Sequence, residues 1–279
     1  MVSKFSISVS GAFALYPLMV EWADEYKKLN PNVEISIQAG GAGKGMTDLL
    51  NGMVDIAMVS REISKEEELK GAHKFAVCKD ATLPIVSANN PYVDSLMKRG
   101  IKKTELIEIF TDKIKFWDII LNKNVKNKIN VYTRSDSCGA GETFANYLGF
   151  HQEDLEGIGI FGDPQIVQAV AKDKMGIGYA NIAFIFDIKS KKVYKGVKIL
   201  PLDLNEDGKI SEDEDFYNER SNVTEAIKNG KLPSPPARNL YLVIKKDNEK
   251  EILKDFLKWI LTDGQNIAEK SGFVKIENF

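Results

Sequence analysis

Cysteine and histidine are scarce in this chain of 279 residues, which has two of each. The two cysteines, Cys78 and Cys138, are too few for a disulfide-stapled scaffold or a thiolate metal cluster. The two histidines, His73 and His151, belong to no H-E-x-x-H sequence, and G-x-S-x-G is also missing. Because these catalytic motifs are absent, the sequence predicts that the protein is not an enzyme.

Net charge and long apolar runs are also lacking. The 38 basic and 40 acidic residues give a net charge of −2, which provides no global field for nucleic acid. No run approaches the roughly 18 apolar residues of a membrane span, and no signal-peptide pattern precedes the first strand. The composition, 43% hydrophobic and 28% charged, is that of a globular protein. We expect a cytosolic protein or a secreted domain without its targeting segment, and the initiator-like Met1 favours the second.

Strand and helix patterns alternate along the chain. The segments 5–10 and 33–39 alternate with period two, and each is followed by a short turn and an amphipathic helix. This alternation predicts an α/β fold with mostly parallel sheets flanked by helices. The Asn-Asn-Pro turn at 89–91 and the proline-rich segment 231–238 indicate crossings between two lobes. Lobe 1 is predicted to comprise residues 1–86 and 237–279, and lobe 2 residues 87–236.

Three turns rich in glycine or small residues stand between a strand and a helix: SGAFALYP at 10–17, GGAGKG at 40–45 and SCGAG at 137–141. A helix N-terminus binds anions through its unpaired N–H groups and its positive dipole end. In a parallel sheet such turns meet at one edge, so they predict a shared anion site. GGAGKG fits neither the P-loop, which needs Ser or Thr after the lysine, nor G-x-G-x-x-G. Lys44 is therefore interpreted as a solvated turn lysine.

One segment has the pattern of a calcium loop. Residues 203–214 read DLNEDGKISEDE, with oxygen ligands at positions 1, 3, 5, 9 and 12, glycine at position 6 and isoleucine at position 8. A merely acidic loop would not require the glycine or the isoleucine. The sequence predicts a structural calcium ion that suits millimolar extracellular calcium. The predicted ligands are Asp203, Asn205, Asp207, the Lys209 carbonyl, Ser211 and Glu214.

Six segments follow one another in the order of a known family. They are SGAFALYPLMVEWADEYKKLNP, GGAGKGMTDLLNGMVDIAMVSREIS, LIEIFTDKIKFWDI, VYTRSDSCGAGETF, AVAKDKMGIGYANIAF and LPSPPARNLYLVIKK. Through them the chain resembles the phosphate-binding members of the type II periplasmic binding proteins, the capture subunits of ABC importers. The resemblance implies two α/β lobes joined by two crossings, with the ligand in a cleft between them. The calcium loop is an insertion relative to that family.

The resemblance also implies a ligand-binding set, in which several family hydroxyls are replaced. Leu15 stands where the family has Thr or Ser, Ala42 where it has Ser, and Cys138-Gly139-Ala140 where it has Ser-Gly-Thr. Where some members hold an Asp that accepts the proton of hydrogen phosphate, this chain has a Ser-Arg pair that other members share. The implied ligand-binding residues are Ala14, Leu15, Tyr16, Ala42, Gly43, Ser60, Arg61, Arg134, Ser137, Cys138, Gly139 and Ala140, and Ser10 also suits an anion.

Arg134 is the retained charged position of the family, so we expect it to be the dominant side-chain ligand, binding an oxyanion through its fork. The alternative is a structural salt bridge to Asp136 or Glu142. His151, at a helix end, is interpreted as a partner of the helix dipole.

The predicted function is extracytoplasmic capture of a small anion for an ABC importer, with phosphate the first expectation and a membrane permease the partner. We expect a monomer that binds no nucleic acid and that was lipid- or helix-anchored before its targeting segment was removed. Because several hydroxyls are missing, the ligand could instead be another oxyanion or a small carboxylate. A sensor, a scaffold or an enzyme on the same fold is the other class, with Cys138 at a helix N-terminus as its only candidate nucleophile.

Overall fold

The computed structural model describes residues 5–124, 126–187 and 190–276. The chain divides into two compact units. Unit 1 comprises Met1–Asp80, Ser137–Gly139 and Arg238–Phe279, and unit 2 comprises Ala81–Asp136 and Ala140–Ala237.

Within the described residues the strands, in chain order, are β1 (Phe5–Gly11), β2 (Val33–Ala39), β3 (Ile56–Val59), β4 (Ala72–Ser87), β5 (Ile101–Lys102), β6 (Asn130–Arg134), β7 (Ile158–Ile160), β8 (Gly176–Asn181), β9 (Val197–Ile199), β10 (Leu202–Asp203), β11 (Ala237–Lys245) and β12 (Val274–Lys275). The α-helices are α1 (Tyr16–Leu29), α2 (Ala42–Leu50), α3 (Lys65–Leu69), α4 (Val93–Arg99), α5 (Lys103–Phe110), α6 (Trp117–Leu121), α7 (Gly139–Leu148), α8 (Asp163–Lys172), α9 (Ile182–Ile185), α10 (Arg220–Lys228), α11 (Glu251–Leu261) and α12 (Gly264–Lys270).

Unit 1 is built on a parallel core with antiparallel additions. Strand β1 pairs in parallel with β2 and β3, as the βαβ pattern predicts. Strand β11 runs antiparallel to β3, and β12 runs antiparallel to the first half of β4. Helices α1, α11 and α12 pack an aromatic cluster in which the Tyr26 and Phe256 rings lie 4.8 Å apart. The buried Trp22 indole donates to the Gly264 carbonyl at 2.7 Å.

Unit 2 repeats the arrangement with its own core. Strand β6 pairs in parallel with β7 and β8, while β8 and β9 run antiparallel to the second half of β4. Strands β5 and β10 form a separate parallel pair. The Phe144 and Tyr179 rings stack at 4.4 Å, and Phe110 packs edge-on to Phe144. The predicted α/β class is confirmed, with mixed rather than wholly parallel sheets.

The passages between the units differ in detail from the predicted lobe boundaries. The chain passes from unit 1 to unit 2 between Asp80 and Ala81, inside the continuous strand β4, rather than at the turn after residue 86. It returns between Ala237 and Arg238 at the start of β11, next to the predicted position. Residues 137–139 belong to unit 1 because they pack on it.

Across residues 5–124, 126–187 and 190–276, no helix has both the length and the apolar character of a membrane span. Cys78 and Cys138 are buried and form no disulfide.

Candidate functional site

The first two predicted turns are tied together at the end of β1. The Gly11 carbonyl accepts the N–H groups of Gly40 and Gly41 at 2.9 and 3.0 Å. The next residue, Ala12, donates its N–H to the Met58 carbonyl of β3 at 2.8 Å. The β1, β2 and β3 ends are therefore fixed to one another by backbone hydrogen bonds, without help from side chains.

Helix α2 presents a cluster of backbone donors. It begins at Ala42, and the residue before it, Gly41, provides no side-chain cap. Within the described part of the chain, the N–H groups of Ala42, Gly43 and Lys44 have no hydrogen-bond acceptor. The helix lies so close to β1 that a Cβ on Gly45 would be 2.6 Å from the Gly11 Cα. Unpaired N–H groups and the positive end of the helix dipole are the features through which helix starts bind anions.

Ser60 and residues 137–139 of the third predicted turn belong to the same unit. Ser60 follows β3 and is 3% exposed. A Cβ on Gly139 would lie 2.1 Å from the Ser60 Oγ and 2.3 Å from its carbonyl oxygen, so only glycine fits there. On the same side, a Cβ on Gly43 would lie 3.8 Å from the Ser137 carbonyl. Unit 1 thus gathers four segments, which we call the anion turns: residues 10–17, 40–45, 60–61 and 137–139.

Several side chains of the anion turns are buried or already paired with other residues. Ala14, Leu15 and Ala42 are buried at 1%, 0% and 1% exposure, so their side chains lie in the core. Tyr16 is exposed at 36%, and Lys44 and Ser137 are exposed as well. The Arg61 guanidinium donates two hydrogen bonds to the Glu67 carboxylate, at 2.8 and 3.0 Å. The Arg61 Nη1 also donates to the Glu62 carbonyl.

A buried carboxylate lies beneath the second turn. Asp48 of α2 accepts a hydrogen bond from the Ser10 Oγ at 2.7 Å and pairs with Lys44. Burial raises the pKa of Asp48, but the hydrogen bonds from Lys44 and Ser10 outweigh it and leave the pKa below its ordinary value. Lys44 is therefore paired with Asp48 as well as half-exposed to solvent, which refines the prediction of a solvated lysine.

Arg134 lies in unit 2 in a buried network of ion pairs. Its side chain is 1% exposed. The Nε donates to the Asp136 Oδ1 at 2.8 Å, and the Nη1 donates to the Asp163 Oδ2 at 2.6 Å. Asp163 begins α8 and also accepts the Asn181 N–H at 2.9 Å. We call Arg134, Asp136 and Asp163 the Arg134 network.

The charge balance of this network bears on the predicted role of Arg134. One guanidinium faces two carboxylates, so the formal charge of the three side chains is 1 − 2 = −1. A negative cluster gives an anion little attraction. The pairing with Asp136 matches the structural alternative, whereas Glu142 binds elsewhere: it accepts from the His151 ring at 3.0 Å and raises the pKa of that histidine.

The predicted calcium loop packs on unit 2. Asp203 and Glu214 are 2% and 6% exposed and form no ion pair among the described residues. The Asp203 carboxylate accepts the N–H of Gly208 at 2.8 Å, and the Glu214 carboxylate accepts the Ser211 Oγ at 2.7 Å. Ile210 anchors the loop by donating its N–H to the Lys98 carbonyl.

In the described ranges, however, no group of three or more Asp, Glu, His or Cys side chains converges as a metal site. The Asp203 and Glu214 carboxylates accept hydrogen bonds from backbone N–H groups of the loop, and Glu214 also accepts the Ser211 hydroxyl. The predicted calcium ligands also include Asn205, Ser211 and the Lys209 carbonyl, which are not among those four residue types.

Sequence reasoning missed several residues of these clusters. Asp163 precedes Pro164 at a helix start, a position where acidic residues are favoured. This local pattern could have identified Asp163 as a residue of the helix start. Asp48 is four residues after Lys44 on one helix, which is also a local signal. Asp80 and Arg238 form a buried pair at 2.7 Å, and no sequence pattern connects positions so far apart.

A family model described as the PBP superfamily domain matches residues 3–264. The phosphate-binding protein PstS of Staphylococcus aureus strain USA300 is 26% identical over 270 residues, covering 95% of this chain and 76% of that protein. The phosphate-binding protein PstS of Bacillus subtilis is 33% identical over 184 residues, covering 66% of this chain and 59% of that protein.

Solved structures of other proteins match this fold over nearly the whole chain. A Clostridium perfringens protein, described as a phosphate ABC transporter substrate-binding protein and solved with bound phosphate, has a TM-score of 0.79 at 25% identity. The match covers 98% of this chain and all of that one. An ABC-type phosphate transport receptor from Vibrio cholerae has a TM-score of 0.69 at 20% identity, covering 97% and 100%, which supports the fold. These matches confirm the resemblance inferred from the motifs.

Proposed function

The chain belongs to the PBP superfamily, and from that premise we propose that it is the substrate-binding protein of an ABC importer and that its ligand is phosphate. The observation that carries the proposal is the match to the phosphate-bound C. perfringens protein over 98% of the chain. The PstS proteins of S. aureus and B. subtilis support the same ligand.

The anion turns support this proposal chemically. The N–H groups of Ala42, Gly43 and Lys44 are directed by a helix start and can each donate to an oxyanion. Charge-assisted hydrogen bonds of this kind contribute roughly 1.5–3 kcal/mol each, so a few of them can hold an anion without hydroxyl ligands. We propose that these backbone donors supply most of the binding energy, with Arg134 contributing less than the sequence alone suggests.

Isothermal titration in a phosphate-free buffer tests the proposal. Phosphate, sulfate, molybdate, tungstate and small carboxylates are titrated in separate runs, and thermal melting is followed in parallel. At about 100 times the dissociation constant, a bound ligand should stabilise the fold by about 2.7 kcal/mol. Heat with phosphate and a raised melting temperature support the proposal. Heat only with another anion would change the ligand, and no heat with any anion together with an unchanged melting temperature would refute it.

An enzymatic role is the competing class. Cys138 at the start of α7 is the candidate nucleophile, but it is only 6% exposed. Alkylation by iodoacetamide across a pH series measures its reactivity. We expect an ordinary thiol profile and full phosphate binding by Cys138→Ala, whereas a thiol that reacts well below its usual pH range would favour catalysis.

We further propose that the loop at 203–214 binds calcium. The support is its twelve-residue pattern, together with the burial of Asp203 and Glu214, which have no cationic partner among the described residues and accept hydrogen bonds from the loop itself. Asp203, Asn205, Asp207, Lys209, Ser211 and Glu214 would supply oxygen ligands. The ion would fix a long loop of unit 2 and perform no chemistry.

Calcium titration of metal-stripped protein tests this role. Calcium should raise the melting temperature of the wild-type protein and leave that of Glu214→Gln unchanged, because the last loop position provides the bidentate ligand. Lys231→Gln is the matched control, since Lys231 pairs at the surface with Asp213, outside the ligand set. An equal response of wild type and Glu214→Gln would contradict the proposal.

The importer role implies a membrane permease as partner and an extracytoplasmic location. We propose both, together with a monomeric state and no nucleic-acid partner, because the matched relatives are transport proteins. Size-exclusion chromatography with light scattering measures the oligomeric state, and fractionation of the producing cells measures the location.

A further inference from the structure

Two residues that border the passages between the units form one buried ion pair. Asp80 is the last residue of unit 1 before β4 enters unit 2, and Arg238 is the first residue of unit 1 after the chain returns. The Arg238 Nε donates to the Asp80 Oδ1 at 2.7 Å, and its Nη2 donates to the Asp80 Oδ2 at 3.1 Å. The side chains are 7% and 0% exposed. The guanidinium is thus held in one plane by a bidentate contact.

The same guanidinium reaches the anion turns. The Arg238 Nη1 donates to the Ser60 carbonyl at 3.1 Å. That carbonyl oxygen is also the atom that a Cβ on Gly139 would approach to 2.3 Å. Arg238 therefore contacts the residue on which the segment 137–139 is packed, and Asp80 fixes the direction of that contact.

The orientation of the Ser60 carbonyl fixes that of the Arg61 N–H, because both belong to the peptide between residues 60 and 61. The described cis peptide bonds are both X-Pro bonds between residues 234 and 236, so the bond between Ser60 and Arg61 is trans. In a trans peptide the C=O and the following N–H point in opposite directions. With the carbonyl turned toward Arg238, the Arg61 N–H is directed to the other side of the strand end.

We infer that Arg238, oriented by Asp80, is a positioning residue for the anion site. It sets the Ser60–Arg61 peptide and the packing of Gly139, and it does not itself bind the ligand. This inference rests on the proposed phosphate function. An arginine is required for the role because lysine has a single charged nitrogen and cannot hold Asp80 in a fork while donating to Ser60.

Phosphate titration of two matched variants tests the inference. Arg238→Lys should weaken phosphate binding about tenfold or more, the loss expected from a misplaced charge-assisted donor. Arg99→Lys is the control, since Arg99 in unit 2 has the same arrangement: a fork to Glu105 at 2.8 and 3.0 Å and an Nη1 bond to the Gly100 carbonyl. Its phosphate affinity should be that of the wild type. Equal affinity of Arg238→Lys and wild type would overturn the inference.

A double variant separates positioning from stability. Replacing a buried ion pair by apolar residues commonly restores stability, whereas removing one partner does not. Asp80→Leu combined with Arg238→Met should therefore melt closer to the wild type than Arg238→Met alone, while phosphate binding remains about tenfold weaker or worse because Ser60 still lacks its donor. Affinity that recovers together with the melting temperature would show a purely structural pair and overturn the inference.

The NMR amide resonances of Arg61 and Gly139 test the positioning role of Arg238 without the use of phosphate. They should shift in Arg238→Lys and stay in place in Arg99→Lys. If the wild type binds no phosphate, the proposed function fails, and these resonances still test the positioning: unchanged resonances in Arg238→Lys would overturn it.

Discussion

The anion turns of unit 1 and the Arg134 network of unit 2 differ in whether their polar groups are unpaired backbone donors or paired side-chain charges. In the anion turns, backbone N–H groups at a helix start are unpaired among the described residues, and the side chains of Ala14, Leu15 and Ala42 are buried. In the Arg134 network, side-chain charges are buried and satisfy one another. Backbone donors cannot be neutralised by a neighbouring carboxylate as readily as a guanidinium can. From this comparison we expect the backbone donors, more than the retained arginine, to hold an anion.

The two regions also differ in what holds them in place. Close backbone packing at Gly45 and Gly139 fixes the anion turns. The Arg134 network is fixed by ion pairs that link the end of β6 to the start of α8. Mutations should therefore separate the regions: steric changes should act on binding in unit 1, and charge changes should act on stability in unit 2.

Arg134→Met should have the largest effect. It leaves Asp163, which is buried, and Asp136, which is partly buried, without their cation, and breaking a buried pair costs about 3–5 kcal/mol. We expect the free energy of unfolding to fall by that amount in urea denaturation. Arg99→Met, which removes a more exposed fork, should cost less. In the more conservative Arg134→Lys, stability should fall more than phosphate affinity; a loss of affinity at unchanged stability would instead make Arg134 the dominant ligand.

Gly45→Ala should have the second-largest effect. It tests the packing of the anion turns. The new Cβ would lie 2.6 Å from the Gly11 Cα and 2.7 Å from the Ser10 carbonyl, so backbone must move. Overpacking of this kind costs about 1–3 kcal/mol. Thermal melting and phosphate titration should both show a loss. Gly43→Ala on the same helix is the control, since its Cβ meets only the Ser137 carbonyl at 3.8 Å, and its fold stability should not fall.

Ala42→Ser sharpens the comparison by adding a side-chain donor to the backbone ones. This position holds serine in the family that the chain resembles, and a hydroxyl at a helix start can donate to an oxyanion. The Ala42 methyl group is 1% exposed, so the new hydroxyl reaches phosphate only where the ligand lies directly on the helix start; in that position phosphate affinity should rise by up to about 1–2 kcal/mol, measured by titration. Ala183→Ser, at a buried position in unit 2, should leave affinity unchanged. Unaltered affinity in Ala42→Ser would place the ligand away from the start of α2.

The smallest effect should come from pH, through Asp48. Its pKa in the folded protein lies below its ordinary value, so it binds protons less readily folded than unfolded. The stabilisation is therefore complete above the unfolded pKa of about 3.9 and is lost as the pH falls through the folded value. Unfolding free energies of wild type and Asp48→Asn should differ at neutral pH and converge in acid. A difference that persists at the lowest pH would assign the effect to packing.

Much of the fold could be predicted from local patterns. The period-two segments 5–10 and 33–39 and the short turns after them predicted β1 and β2 with parallel pairing, and the structure has that pair. The anion turns at 10–17 and 40–45 followed from the same patterns, because a turn between a strand and a helix leaves N–H groups at the helix start. The antiparallel partners of β4 were not predicted, since period-two alternation does not distinguish the direction of a neighbour.

The sequence by itself determined the α/β class, the helix-start turns and the superfamily, because each depends on residues that are neighbours in the chain or on ordered motifs. The tertiary structure decided what the charged residues do. Arg134 meets Asp163, Arg238 meets Asp80, and Gly139 meets Ser60 only after the chain has folded. A guanidinium that is paired with carboxylates has fewer N–H groups left for a ligand, and Asp163 and Asp80, unlike Asp136, are distant in sequence from the arginines that they pair with.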